Sequence, residues 1–485
     1  MKNKLTLIAL ALICGCTAVP DVADRTPWFV PETDLSVKAG MWETATVSQI
    51  NSQGLLLYTA LDPQGWRQDE KGKEDYQDSH DVADAPAWHG RFMASMALAM
   101  AADKKDRNDL LLHLTNGLLS YYEITSVPGL FGRSYLADYT GERIYWMETQ
   151  EANPTKFWRQ ENSGKWWRTG LAKNHFLGAI LGCGIPLALH ENGKIQLRPD
   201  VKDALLSVML PAMRRFVDNG FVIMDYDGKP TEFGDLRPNL IPKEYIELAK
   251  PFVGFFGISE EDLESMNRPL NGFNMILVLS MLRSAGQYDP EIMAVYEKAA
   301  KEWGEGTRLS LQVLGFIMKK IGHWKIDKPS YSDMEAVAFA ATGLFLWTRP
   351  DGGSTAAGIE ADVMTALTGL WGYMRYERNA AFSIPYNHFV DQKIVLDDVI
   401  EDLRDFPDPD QKVQMSNPTK DTDEVQPLAN RKTNSHYWKS SPFHRVDGPG
   451  EPFRHPVRGS ITYYSGQDFL VAYWLGRFFD LVPEK

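Results

Sequence analysis

The feature that most constrains the fold is a set of long segments with apolar residues at helical spacing. They run over 88–106, 108–125, 174–193, 200–220, 273–289, 290–304, 332–347 and 357–378. Many end at glycine or open on proline, aspartate or serine, the residues that stop and start helices. Some, such as "NHFLGAILGCGIPLALHENG", are apolar nearly all round, while their chain neighbours are amphipathic. That alternation is what two concentric helix layers require, and it predicts an all-α architecture. One strand pair interrupts it: "FVIMDYDGKPTEFG" sets Asp227-Gly228 between two short strand-like runs, a hairpin signal. Residues 126–170 and 391–465 read as long loops in which tryptophan, tyrosine and histidine recur. A disordered linker would be depleted of such aromatics.

The first residues predict an address. "MKNK" is a positive n-region, "LTLIALALICG" is too short to span a bilayer, and "ICGC" puts a small residue before Cys16. This resembles a bacterial lipoprotein signal, with Cys14 where alanine or serine is usual. The resemblance implies cleavage before Cys16, acylation of its thiol and, because Thr17 and not aspartate follows, the outer membrane. The expected organisation is a signal over 1–15, a tether over 16–40 and a single domain over 41–485. Once Cys14 departs and Cys16 is lipidated, Cys183 is the remaining thiol of the three, so the mature chain forms no internal disulfide. About 470 mature residues bury a large core, in two domains or one closed architecture. The net charge of -13 without a basic cluster argues against nucleic acid. An acidic polymer would need a local cationic patch.

The helical hairpins, "GFVIMDYDGKPTEFG", the "VPGLFGRS" loop, "RYERN" and the C-terminal "SGQDFLVAYWLGRFFDL" together resemble the six-hairpin, (α/α)6-toroid superfamily of carbohydrate-active proteins. The resemblance covers most of the mature chain. It implies a polysaccharide cleft built by loops at one end of the toroid; the residues themselves, lacking zinc-finger spacing or HExxH, give the expectation of no cofactor or metal. Glycoside hydrolases and polysaccharide lyases share this barrel, so the reaction stays open.

Candidate site residues come from five stretches. In "YQDSHDVADAPAWHGRF", a helix starting near Pro86 puts Asp81 and Asp84 where helix ends favour anions, and His89 and Arg91 within its first turns. Capping accounts for Asp84 but not for His89, read as a proton-transfer group, or for Trp88, read as a sugar-stacking ring. In "PGLFGRSYL", Gly129 and Gly132 hold Arg133, suited to gripping a carboxylate, and Tyr135, suited to moving a proton. "WRQENSGKWWRTGLAKNHFLG" is the densest cationic and aromatic stretch: Trp166, Trp167, Arg168 and Lys173 suit an acidic sugar, with Asn174 and His175 at the next helix start. "RYERNAAFSIPYNHF" offers Tyr386 and His388 on what reads as a loop, and "NSHYWKSSPFHR" offers His436 and Trp438.

There is no GxSxG elbow, P-loop, dinucleotide fingerprint or zinc spacing, and Cys183 sits in apolar "LGCGIPL". What remains is acid–base chemistry. The favoured expectation is β-elimination across C4 and C5 of a uronic acid, by a lyase or a dehydratase, using His89, Arg133, Tyr135, Asn174 and His175. A hydrolytic carboxylate pair drawn from Asp81, Asp84, Asp333 and Glu335 is the alternative, followed by a non-catalytic glycan-binding lipoprotein. The loops at 76–92, 126–170, 380–390 and 434–458 are expected to converge at one end.

Overall fold

The computed structural model describes residues 34–48, 50, 59–61, 85–136, 158–161, 165–237, 272–303, 331–351, 358–374, 380–394, 396, 397, 400, 403, 404, 462–464 and 466–483. In chain order these form α1 (Leu35–Ser48), β1 (Thr59–Leu61), α2 (Ala85–Asp103), α3 (Asn108–Glu123), β2 (Ser134–Leu136), β3 (Trp158–Gln160), β4 (Trp166–Arg168), α4 (Lys173–Glu191), α5 (Pro199–Asp218), β5 (Val222–Met224) and β6 (Pro230–Asp235). They continue with α6 (Gly272–Gly286), α7 (290–303), α8 (Tyr331–Thr348), α9 (Ile359–Met374), α10 (Ala380–Phe389), β7 (Thr462–Tyr464) and α11 (Gln467–Phe478). Among the described residues the protein is mostly helical, and the strands form three small antiparallel sheets, β1-β7, β2-β4-β3 and β5-β6. None of the described helices is long and apolar enough to cross a membrane.

Two kinds of helix are present, as the periodicity predicts. Helices α2, α4 and α6 bury nearly their whole circumference, which only a helix surrounded by other helices can do. Helix α3 instead buries Leu111, Leu114, Leu118 and Tyr121, steps of three and four residues that define one stripe. α5 does the same through Val201, Leu205, Val208, Ala212 and Phe216. Each of the valine, leucine and phenylalanine side chains contributes about 2 kcal/mol by leaving water. Helix α2 packs on α4 and α11, α4 on α6 and α8, α6 on α8, α8 on α10, and α10 on α11. The amphipathic helices pack outside these: α3 against α2 and α5, α5 against α4, α9 against α10, and α1 against α11.

Glycine decides how close α2 and α4 come. A Cβ on Gly90 would lie 1.8 Å from the Gly178 carbonyl oxygen, and one on Gly182 would lie 2.4 Å from the Gly90 Cα. The two backbones touch, and no larger residue fits. Contacts climb in step along both helices, from Ala87 with Gly178 to Gly90 with Gly182, so the helices run parallel. Helix α8 follows the same direction, with Leu181 against Gly343 and the Asn192 amide donating to the Leu346 carbonyl at 2.8 Å. The N-termini of α2, α4 and α8 therefore share one end of the bundle, here called the head, and their C-termini share the tail.

Three expectations need correction. The described residues within 126–170 include three strands, β2, β3 and β4, whose backbones pair across segments of three residues, too short for an alternating pattern to show. The helix α1 begins at Leu35, inside the expected tether, and buries Leu35, Lys38, Ala39 and Trp42. Residues 386–388 are helical: α10 runs through Pro385 because packing against α8 and α9 outweighs the local break.

Candidate functional site

The head holds Arg133, Tyr135, Trp166, Arg168, Lys173 and Asn174 of the sequence candidates. Its scaffold starts at the end of α3, where the Gly132 N–H donates to the Tyr121 carbonyl at 2.7 Å. Gly129, at φ +79 and with the Pro211 carbonyl 2.6 Å from where its Cβ would be, fixes the loop as its glycines predict. The chain then enters β2. The central strand β4 pairs Ser134, Tyr135 and Leu136 with Arg168, Trp167 and Trp166, and on its other side pairs Trp158, Arg159 and Gln160 with Arg168, Trp167 and Trp166. Tyr135, Trp167 and Arg159 thus occupy one row of register across the sheet.

The β5-β6 hairpin closes against this sheet. The Arg159 guanidinium lies over the Tyr226 ring at 4.4 Å and donates to its hydroxyl, and Trp167 meets the same ring edge-on at 6.0 Å. Thr231 donates to the Leu171 carbonyl at 2.7 Å. Gly170, at φ +75, is the junction. Its N–H donates to Asp225 Oδ2 at 2.9 Å, and its carbonyl accepts from Arg133 Nη1 at 3.2 Å. A left-handed φ is open to glycine without strain, so the backbone turn on which Arg133 and Asp225 meet forms there at little cost. Burial raises the Asp225 carboxyl above the usual carboxylate range, outweighing the Tyr226 and Gly170 N–H groups that bond it.

Helix α4 starts three residues on. Lys173 and Asn174 are half-buried there, and Asn174 Oδ1 is enclosed with no hydrogen-bond partner among the described residues. The macrodipole adds positive potential at this terminus. The head thus gathers Arg133, Arg168, Lys173, Asn174 and the half-buried Trp166 with the carboxyl of Asp225.

Several sequence-predicted residues have other duties. His89 has no exposure. Its Nε2 bonds the Leu114 carbonyl at 2.7 Å, and its ring meets Tyr121 at 6.1 Å. Burial lowers its pKa to about 4, the Leu114 bond opposing and His113 repulsion assisting. It is a neutral core group joining α2 to α3, not a proton-transfer group. Trp88 is buried and covered by Arg91 at 4.5 Å instead of facing a sugar. His175 is buried, and its Nδ1 accepts from the Ala172 N–H at 2.9 Å, a capping duty. Trp167 is buried, with Nε1 donating to Glu161 at 2.7 Å.

Tyr386 and His388 do not join the head. Tyr386 is buried against Trp371, the rings stacked at 4.6 Å. His388 stacks on Phe479 at 3.7 Å, just past the end of α11, and Phe389 meets Phe345 near the end of α8. That is the tail. Burial, then Arg349, lower the His388 pKa to about 4, with Asp351 opposing. Convergence of 380–390 with the other loops is thus corrected, because α10 is a helix that carries these residues away from the head. The Tyr135 side chain, Cys16, Asp81, Asp84, His436 and Trp438, and the side chains of Asp333 and Glu335, lie outside the described residues.

Sequence reasoning missed Asp225, the Arg159–Tyr226 pair and the reach of Arg91 from α2 to Phe339 on α8, at 5.9 Å. Asp225 stands two residues before Asp227, whose turn was visible, but nothing local announced that Gly170 would receive it. No family model, no curated protein and no solved structure matches this chain. Fold and site together define a mostly helical protein with a cationic, aromatic head.

Proposed function

We propose that this is a carbohydrate-active enzyme that eliminates across C4 and C5 of a uronic acid residue, on an (α/α)6 toroid. Support for the toroid comes from packing: α2, α4, α6, α8, α10 and α11 contact one another in a circuit that returns to α2, with amphipathic helices outside. Contact between α4 and α8 narrows the lumen, so a substrate would lie across the head and not through the ring.

The observation that carries the reaction is that Arg133 reaches the Gly170 carbonyl, in the short stretch that runs from Trp166 and Arg168 of β4 to Lys173 and Asn174 at the start of α4. A uronate needs a cation or amide at its carboxylate so that charge developing at C5 is stabilised, and an aromatic face for its ring. Arg133 offers a planar fork for that carboxylate. Tyr135, in the strand that follows, is the proposed base. A lipid on Cys16 would hold the enzyme at the cell envelope, and labelling with a palmitate analogue that Cys16→Ser abolishes tests it.

The test of function is an ultraviolet absorbance screen for 4,5-unsaturated product over uronic-acid polymers and oligomers, with reducing ends measured alongside. Absorbance with reducing ends identifies a lyase, and absorbance alone a dehydratase. Reducing ends without absorbance would replace the reading with hydrolysis, and binding without either product with glycan capture.

A further inference from the structure

We propose that Asp225 is the proton donor to the leaving sugar oxygen, an assignment that rests on reading the head as a place where a C–O bond of a uronic-acid glycan breaks. Asp225 follows β5 directly, and its carboxyl is half-buried between hairpin and sheet, Oδ2 2.9 Å from the Gly170 nitrogen and Oδ1 2.9 Å from the Tyr226 nitrogen. Gly170 also takes Arg133 on its carbonyl at 3.2 Å. The N–H and C=O of one residue therefore hold an acid and a guanidinium at a spacing built into the backbone. C–O cleavage in a uronate uses that pairing: a cation for the sugar carboxylate and an acid for the oxygen that departs.

The position is braced from each side. Arg215 of α5 donates to the Met224 and Asp225 carbonyls at 3.3 and 3.4 Å, and Thr231 of β6 ties the other strand to Leu171. Charged groups facing the carboxyl are Asp227 on the hairpin, which raises its pKa, and Arg159 of β3, which lowers it; burial sets the net upward direction. That direction keeps the proton on Asp225 to higher pH than on a free aspartate, as a donor requires.

The step balances. The C5 proton passes to the base, the C5–H electron pair becomes the C4=C5 double bond, and the C4–O bond breaks. The departing oxygen takes the bond pair and the Asp225 proton, leaving an alcohol, an unsaturated uronate and an ionised Asp225. Solvent then returns the base proton to Asp225.

The experiment compares wild type, Asp225→Asn and Asp225→Glu on a uronic-acid polymer and on aryl substrates. These are a 4-O-nitrophenyl uronide, whose phenolate leaves from C4 without protonation, and its glycosidic counterpart. Asp225→Asn is expected to lose at least about a hundredfold in turnover on the polymer and under about tenfold on the aryl substrate. Its pH profile should also lose the alkaline limb, and Asp225→Glu should recover part of the polymer rate. Equal losses on both substrates, or no loss, overturn the assignment. Product type tests the underlying reading separately: reducing ends without absorbance replace elimination by hydrolysis and leave the Asp225 comparison valid. Wild-type protein that cleaves neither kind of substrate removes both.

Discussion

The two ends of the bundle handle charge differently. At the tail, cations meet carboxylates across short connections: Arg107 with Glu43 at 3.0 Å and Asp103 at 2.8 Å, Lys202 with Glu191 at 2.7 Å, Lys194 with Asp351 at 2.7 Å, and Arg198 with Asp109 and Asp200. At the head, the hairpin pairs Lys229 with Asp227 and Arg237 with Asp235, but around Gly170 Arg133 bonds a backbone carbonyl, Arg159 a phenol, and Asp225 two backbone N–H groups. A carbonyl satisfies a guanidinium's geometry without cancelling its charge. The contrast teaches that one end spends its charges on closing the structure, while the other arranges polar groups around loops, where a charged ligand can compete for them.

The sharpest way to break the comparison is to remove its frame. Gly90→Ala puts a methyl group into the Gly178 carbonyl, and overpacking at a backbone contact should cost about 3 kcal/mol or more, seen as a large fall in melting temperature. An unchanged melting temperature would mean that the α2 and α4 backbones do not touch at Gly90. The two arginines form a matched pair of tests. Arg107, buried at the tail, should behave as structure: Arg107→Ala leaves Glu43 and Asp103 without their cation and should lower stability by about 3 kcal/mol with turnover intact. Arg133→Ala should do the reverse, lowering turnover at least about a hundredfold while melting shifts little. Loss of turnover in Arg107→Ala at full stability would erase the distinction between the ends.

Acid titration gives an intermediate effect. The folded pKa of His89, about 4, lies below its unfolded 6.5, so the unfolded chain binds more protons between those values. Stability is therefore fully present above pH 6.5 and is lost as pH falls toward 4, by about 3 kcal/mol in total. His89→Gln keeps a donor for the Leu114 carbonyl and does not titrate, so it should flatten this slope, leaving the part that belongs to His388 at the tail. The same slope in wild type and variant would remove His89 as the cause. Smallest is Arg198→Ala: its pairs with Asp109 and Asp200 are exposed, and urea unfolding should register under about 1 kcal/mol.

Within "YQDSHDVADAPAWHGRF" the sequence points to the right helix and the wrong side chain. A histidine one turn inside a helix has no capping duty, which made His89 a fair candidate, but its partner is a backbone carbonyl on α3, 25 residues later. Nothing in local pattern reports such a bond. Likewise, His175 was noticed at a helix start, where its duty proved to be the Ala172 N–H. Arg133 stood out because two glycines preceded it, and glycine has a local signature. Asp225 did not, because its meaning comes from Gly170, far away along the chain.

By itself the sequence determined most of the helices, though not α1 or α10, with their two kinds of face and the Asp227-Gly228 hairpin, since periods of 3.6 and 2 and turn chemistry act over a few neighbouring residues. Which helices lie parallel, which end gathers Arg133, Lys173 and Asn174, and which histidines are sealed in the core were decided only by tertiary packing. The physical reason is range. Side-chain burial and hydrogen-bond pairing depend on residues brought together by the whole fold, as Gly90 meets Gly178 and Arg133 meets Gly170, and a local pattern carries no record of those distances.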